Sequence, residues 1–98
     1  MLPSEAVRLH KRDIIDIIRR YKTRGIVNLR IFGSVAKKAD SSGSDVDFLV
    51  DAGKVSLLTL GGLQSELEDL LGMPVDLIPA NTIKEDARER ILAEAVTV

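Results

Sequence analysis

The chain has no cysteine and no tryptophan, and two Phe and one Tyr make up an aromatic content of only 3%. Without cysteine there can be no disulfide and no thiolate metal site. Without aromatics the core must be aliphatic. Neither sign of charge is in clear excess: 14 Lys and Arg against 15 Asp and Glu give a net charge of -1. That balance supplies no global basic field for a nucleic-acid partner. The local cluster Arg8, Lys11 and Arg12 reads as a solvated helix face. Long hydrophobic runs are missing too, so no segment reaches membrane-spanning length. The stretch 1–5 has no apolar core of the signal-peptide type, and the expected location is the cytoplasm. His10 is the single histidine; among Arg8, Lys11 and Arg12 it suits an exposed structural role. Repeats and linkers are absent, and 98 residues suit one domain spanning 1–98.

What is present is a regular alternation of helix and strand patterns. Ser4 is placed to cap a helix with Val7, Ile14, Ile15, Ile18 and Tyr21 at three- and four-residue steps, ending at Gly25. Tyr21 should pack with its hydroxyl at the core edge. The β-branched run 26–32 predicts a strand, which Gly33-Ser34 breaks. A short helix over 35–37 and an exposed loop over 38–44 follow. The run 45–50 predicts a second strand, with Asp51 as a loop or capping residue behind it. A leucine-rich helix begins near Ser56, is weakened at Gly61-Gly62 and stops at Gly72. Val75-Asp76-Leu77-Ile78 predicts a third strand. Thr82 with Glu85 fits a capping box for a last helix, with Ile83, Ala87, Ile91 and Leu92 inward. The expected class is α/β (α+β), a small mixed sheet flanked by helices in the order α-β-α-β-α-β-α.

Chemistry concentrates at two places. Asp45 and Asp47 lie two apart on a strand and so project to the same side, while Val46, Phe48 and Val50 project to the other. Two such carboxylates repel unless a proton or cation lies between them, and Mg²⁺ prefers oxygen ligands of this kind. Gly33 permits close backbone approach to a phosphate, and the N–H groups after Ser34 would open a helix with its positive dipole end. Taken singly, a glycine–serine turn and an Asp-x-Asp strand end are both commonplace. Asp76 adds a third carboxylate inside an apolar strand, where it needs a partner. An arginine such as Arg30 is one candidate; a cation shared with Asp45 and Asp47 is the other.

Gly33-Ser34-Val35-Ala36, then Ser44-Asp45-Val46-Asp47-Phe48-Leu49-Val50, then Val75-Asp76-Leu77-Ile78, resembles the nucleotidyltransferase superfamily of the DNA polymerase β type. The short length and the run Arg88-Glu89-Arg90-Ile91-Leu92-Ala93-Glu94-Ala95-Val96 resemble its minimal (MNT) branch. The resemblance implies a nucleotide site at Gly33, Ser34, Lys37 and Ser44, with Gly33 and Ser34 on the β- and γ-phosphates. It implies two Mg²⁺ ions on Asp45, Asp47 and Asp76, with Asp76 also helping to deprotonate the attacking hydroxyl. The reaction would be in-line transfer of AMP from ATP. Lys37 and Lys38 stand where many minimal members carry arginine and glycine; a lysine neutralises a phosphate but lacks the bidentate fork.

So short a chain leaves little to bind an acceptor. Minimal members typically pair with a HEPN-domain toxin in two-gene modules, so the resemblance implies an antitoxin that transfers AMP to a tyrosine of that toxin, in a hetero-oligomer. Two alternatives stay open. One is an antitoxin that neutralises its partner by occlusion alone; the other is a homodimeric enzyme acting on a small molecule such as an aminoglycoside.

Overall fold

A computed structural model of the chain describes residues 2–33 and 45–97. The expected first helix is two helices, α1 (Pro3–Leu9) and α2 (Lys11–Tyr21), followed by a 3₁₀ turn, Lys22–Arg24. Pro3 occupies the first helical position, where its missing N–H costs nothing, so α1 starts one residue before the expected cap and Ser4 lies inside it. The break falls at His10, whose backbone (φ -101°, ψ 19°) is not helical. Its N–H closes α1 on the Ala6 carbonyl at 3.0 Å, and its carbonyl opens α2 by accepting from Ile14 N–H at 2.9 Å.

Four strands form the sheet: β1 (Ile26–Phe32), β2 (Val46–Ala52), β3 (Val75–Pro79) and β4 (Val96–Thr97). Their spatial order is β3-β2-β1-β4. β2 and β3 run parallel, and β1 is antiparallel to both β2 and β4. The mixed sheet with helices is the expected class. The unexpected element is β4, two residues that pair with Arg30 and Ile31. Between β2 and β3 runs α3 (Leu57–Leu71), completing a β-α-β unit. Ser56 caps it as expected, its Oγ accepting from Thr59 N–H at 3.1 Å. Gly72 ends it in the left-handed conformation (φ 70°), which a Cβ would penalise.

Helices α2 and α3 cover one sheet face. Ile14, Ile18, Leu63 and Leu67 meet Leu29, Val46, Phe48 and Val50 there in a single apolar cluster, mostly aliphatic but built around the aromatic Phe48. Each such side chain stabilises by about 1.5–3 kcal/mol when fully buried. Tyr21 is buried at the cluster's margin and donates its hydroxyl to Glu66 of α3, which also pairs with Arg20 at 2.9 Å. Gly62 makes room for this contact: a Cβ there would lie 3.1 Å from the Tyr21 hydroxyl. Of the glycine pair inside α3, Gly62 thus has a packing reason, while Gly61 faces open space.

The final helix, α4 (Glu85–Glu94), is not capped by Thr82. Thr82 sits in a 3₁₀ turn, Ala80–Thr82, and its hydroxyl donates to the Pro79 carbonyl at 2.7 Å; Lys84 holds the cap position. The local pattern fitted a capping box, but the tertiary turn after β3 claimed the hydroxyl. Ile83, Ala87, Ile91 and Leu92 are half-buried rather than fully inward. Through α4 the chain passes from the β3 edge of the sheet to the β4 edge. No described helix is long and apolar enough to cross a membrane.

Candidate active site

Alternation along β2 sorts its side chains. Val46, Phe48 and Val50 are fully buried in the core, and Asp47, Leu49 and Asp51 take the opposite face. Register then decides their neighbours. Asp47 pairs with Phe32 on β1 and, on the other side, with Asp76 on β3. The last residue of β1 and the second residues of β2 and β3 therefore form one row at one end of the sheet. Asp45 immediately precedes β2 and is exposed, as is Asp76; Asp47 is half-buried. The Asp47 carboxyl is held above the usual carboxylate range, first by burial, then by the negative charges of Asp76 and Asp45, and by a hydrogen bond to Asp76. The structure thus brings the three expected carboxylates into one electrostatic unit.

Gly33 follows Phe32 directly and turns with φ 75°, a conformation that L side chains rarely adopt. A Cβ at Gly33 would also stand 2.7 Å from Asp47 Oδ2. Glycine is needed here for the turn, and any side chain would also push the Asp47 carboxylate aside. Ser34, Lys37 and Ser44, the other expected nucleotide contacts, lie outside the described residues, as do the expected helix at 35–37 and loop at 38–44.

Asp76 is placed by two side chains that the sequence reading missed. Val75 donates its N–H to Glu68 Oε2 at 3.0 Å, and its carbonyl accepts from Gln64 Nε2 at 2.9 Å. β3 is an edge strand, so these backbone groups need partners from elsewhere. The available signal was the four-residue spacing of Gln64 and Glu68, one position beyond the buried Leu63 and Leu67 of the same helix.

Arg30 is not the partner of Asp76. β2 separates their strands, and Arg30 Nε lies 2.9 Å from Asp51 Oδ2 instead. Nε is buried and makes no aligned hydrogen bond, so charge rather than N–H direction holds the pair. Asp51 is accordingly a strand residue of β2, not a loop or capping residue.

A cavity of about 540 Å³ opens at the far ends of β2 and β3, lined by Ala52, Val55, Leu57, Leu60 and Pro79 among others. Five strand residues, roughly 17 Å, separate Asp47 from Ala52. The cavity and the carboxylates are different places, and the cavity's one charged lining residue is Lys54.

The donor set suits a hard divalent cation. Asp47 and Asp76 approach closely enough to share a proton, and a cation between them would relieve the same repulsion. Among the described residues, no three His, Cys, Asp or Glu side chains are already gathered tightly enough to hold a metal ion. The carboxylates are adjacent but not drawn together.

The nucleotidyltransferase domain family matches residues 11–98. The chain belongs to that family. As a nucleotidyltransferase it is 43% identical over 89 residues to a protein of Methanocaldococcus jannaschii named as a protein adenylyltransferase, covering 90% of this chain and 92% of that one. It is 37% identical over 75 residues, 76% of each chain, to the protein adenylyltransferase MntA of Thermococcus cleftensis. The solved structure of a minimal nucleotidyltransferase superposes with a TM-score of 0.83 at 32% identity, over 97% of this chain and 95% of that one. The same fold occurs in the MntA–HepT toxin–antitoxin complex, at a TM-score of 0.67 and 19% identity over 92% of this chain and 69% of that one. It recurs in a toxin–antitoxin complex with AMP-PNP, at 0.68 and 18% over 86% and 70%.

Proposed function

We propose that this nucleotidyltransferase is a protein adenylyltransferase that moves AMP from ATP to a tyrosine hydroxyl of a HEPN toxin partner, and so acts as the antitoxin of the pair. The observation that carries the reading is the row formed by Gly33, Asp47 and Asp76. It sets a turn free of side-chain bulk beside two carboxylates that need a positive charge. The names of the curated relatives support protein adenylylation, and the solved complex of an MntA with its toxin HepT is the precedent for the partner.

In this reading residues 1–98 work as one domain. Asp45, Asp47 and Asp76 would hold two Mg²⁺ ions, which when bound neutralise the charge developing on the phosphates. Gly33 and Ser34 cradle the β- and γ-phosphates, with Lys37 and Ser44 as further nucleotide contacts. The tyrosine oxygen attacks the α-phosphorus in line, the bond from that phosphorus to the bridging oxygen breaks, and pyrophosphate leaves. Asp76, exposed at the sheet edge, accepts the hydroxyl proton. Gln64 and Glu68 keep its strand in register for that task. The acceptor comes from the partner, to which the exposed Asp45 and Asp76 are accessible.

The test incubates the purified chain with Mg²⁺, ATP and a cognate HEPN protein. An AMP-sized mass increase on a partner tyrosine is expected, and the doubly substituted Asp45→Asn, Asp47→Asn chain should give none. An unmodified partner would sink the proposal. Suppression of toxicity by that variant would favour occlusion instead.

A further inference from the structure

Arg30 stands opposite Leu49 in the β1–β2 ladder, on the face that carries Asp47. Its two diagonal neighbours on β2 are therefore Asp47 on one side and Asp51 on the other, each within reach of a long side chain. The arginine has two carboxylates within diagonal reach, and it is found on Asp51, Nε to Oδ2 at 2.9 Å. Arg30 and Asp51 are both half-buried, at 30% and 24% side-chain exposure. At that depth each charge gains from keeping a partner of opposite sign.

The consequence falls on Asp47. An arginine on that carboxylate would neutralise it and occupy the space a cation needs. We infer that Asp51 is a positioning residue that draws Arg30 away from Asp47 and so keeps the carboxylate row free for a divalent cation. Leu49, fully buried between them on the same face, helps to separate the two ends. The ionic character of Asp51 matters, since only a carboxylate competes with Asp47 for a guanidinium.

This inference rests on reading Asp45, Asp47 and Asp76 as a cation site, and the experiment separates the two. Mn²⁺ is titrated into the nucleotide-free protein and its binding followed by electron paramagnetic resonance. Asp51→Asn should weaken Mn²⁺ binding about ten-fold, the effect of one neighbouring charge on a carboxylate. Arg30→Met should bind at least as tightly as wild type. Arg30→Met combined with Asp51→Asn should recover that affinity, because no guanidinium remains to move. Asp51→Glu, which retains the charge, should bind like wild type and guards against a misfolded Asp51→Asn. Unchanged affinity in folded Asp51→Asn overturns the positioning role alone, as does a double variant as weak as Asp51→Asn. A wild type that binds no Mn²⁺ overturns the cation site, and the positioning role with it.

Discussion

The two faces of the sheet are made from the same strands and follow opposite rules. On the helix-covered face Val46, Phe48 and Val50 vanish into an aliphatic core. One residue out of phase, Asp47 and Asp51 line the other face, each provided with a different partner. A one-residue slip of β2 would exchange the two sets, placing carboxylates among leucines. The buried face therefore fixes the register on which the carboxylate row depends.

Breaking the polar face alone should abolish transfer and spare folding. Asp47→Asn is expected to lower AMP transfer about a thousand-fold or more, as loss of a group that stabilises transition-state charge does. Radiolabelled ATP measures it, with circular dichroism as the folding control. Breaking the apolar face should do the reverse. Phe48→Ala should destabilise by about 3–5 kcal/mol in urea unfolding, mostly through the cavity it leaves. Gly33→Ala touches both, because the new methyl meets the left-handed turn and Asp47 Oδ2 at once. It should cost about 1–3 kcal/mol in stability and should also reduce transfer.

Smaller effects sharpen the contrast. Tyr21→Phe deletes the hydrogen bond to Glu66 and should cost about 1 kcal/mol. That bond, foremost, holds the Glu66 carboxyl below its usual value of 4.5. A lowered folded value contributes stability present above that ordinary value and lost as pH falls through the folded one. Tyr21→Phe should therefore flatten the acid limb of a melting-temperature profile. Asp47 has the opposite sign. Its folded value is raised above 3.8, so its contribution is present below that point and lost as pH rises through the folded value. Without divalent cation, Asp47→Asn should raise the neutral-pH melting temperature by a few degrees. A fall would show that the carboxylate is not strained there.

Much of this was legible because local signals and tertiary packing agreed. The β-branched runs became β1, β2 and β3, Ser56 and Gly72 bounded α3, and the alternation of Asp47 against Val46, Phe48 and Val50 held, although Asp45 falls just ahead of the strand. What failed was decided at longer range. Val96–Thr97 is too short to carry a period, so β4 exists only because β1 offers an edge. His10 lies in a polar stretch that continues the charged pattern across the break between α1 and α2. Arg30 stayed open as a partner for Asp76 because strand order, which sets β1 two places from β3, is not written in any local pattern.

The pairing of Val96 and Thr97 with Arg30 and Ile31 bears on how the protein should be handled. The two residues grip β1 just before it delivers Phe32 and Gly33 to the carboxylate row. Removal of residues 96–97 would release that grip, and a purification handle fused directly behind them would load it. A handle placed ahead of α1 would leave the strand that ends at Gly33 undisturbed.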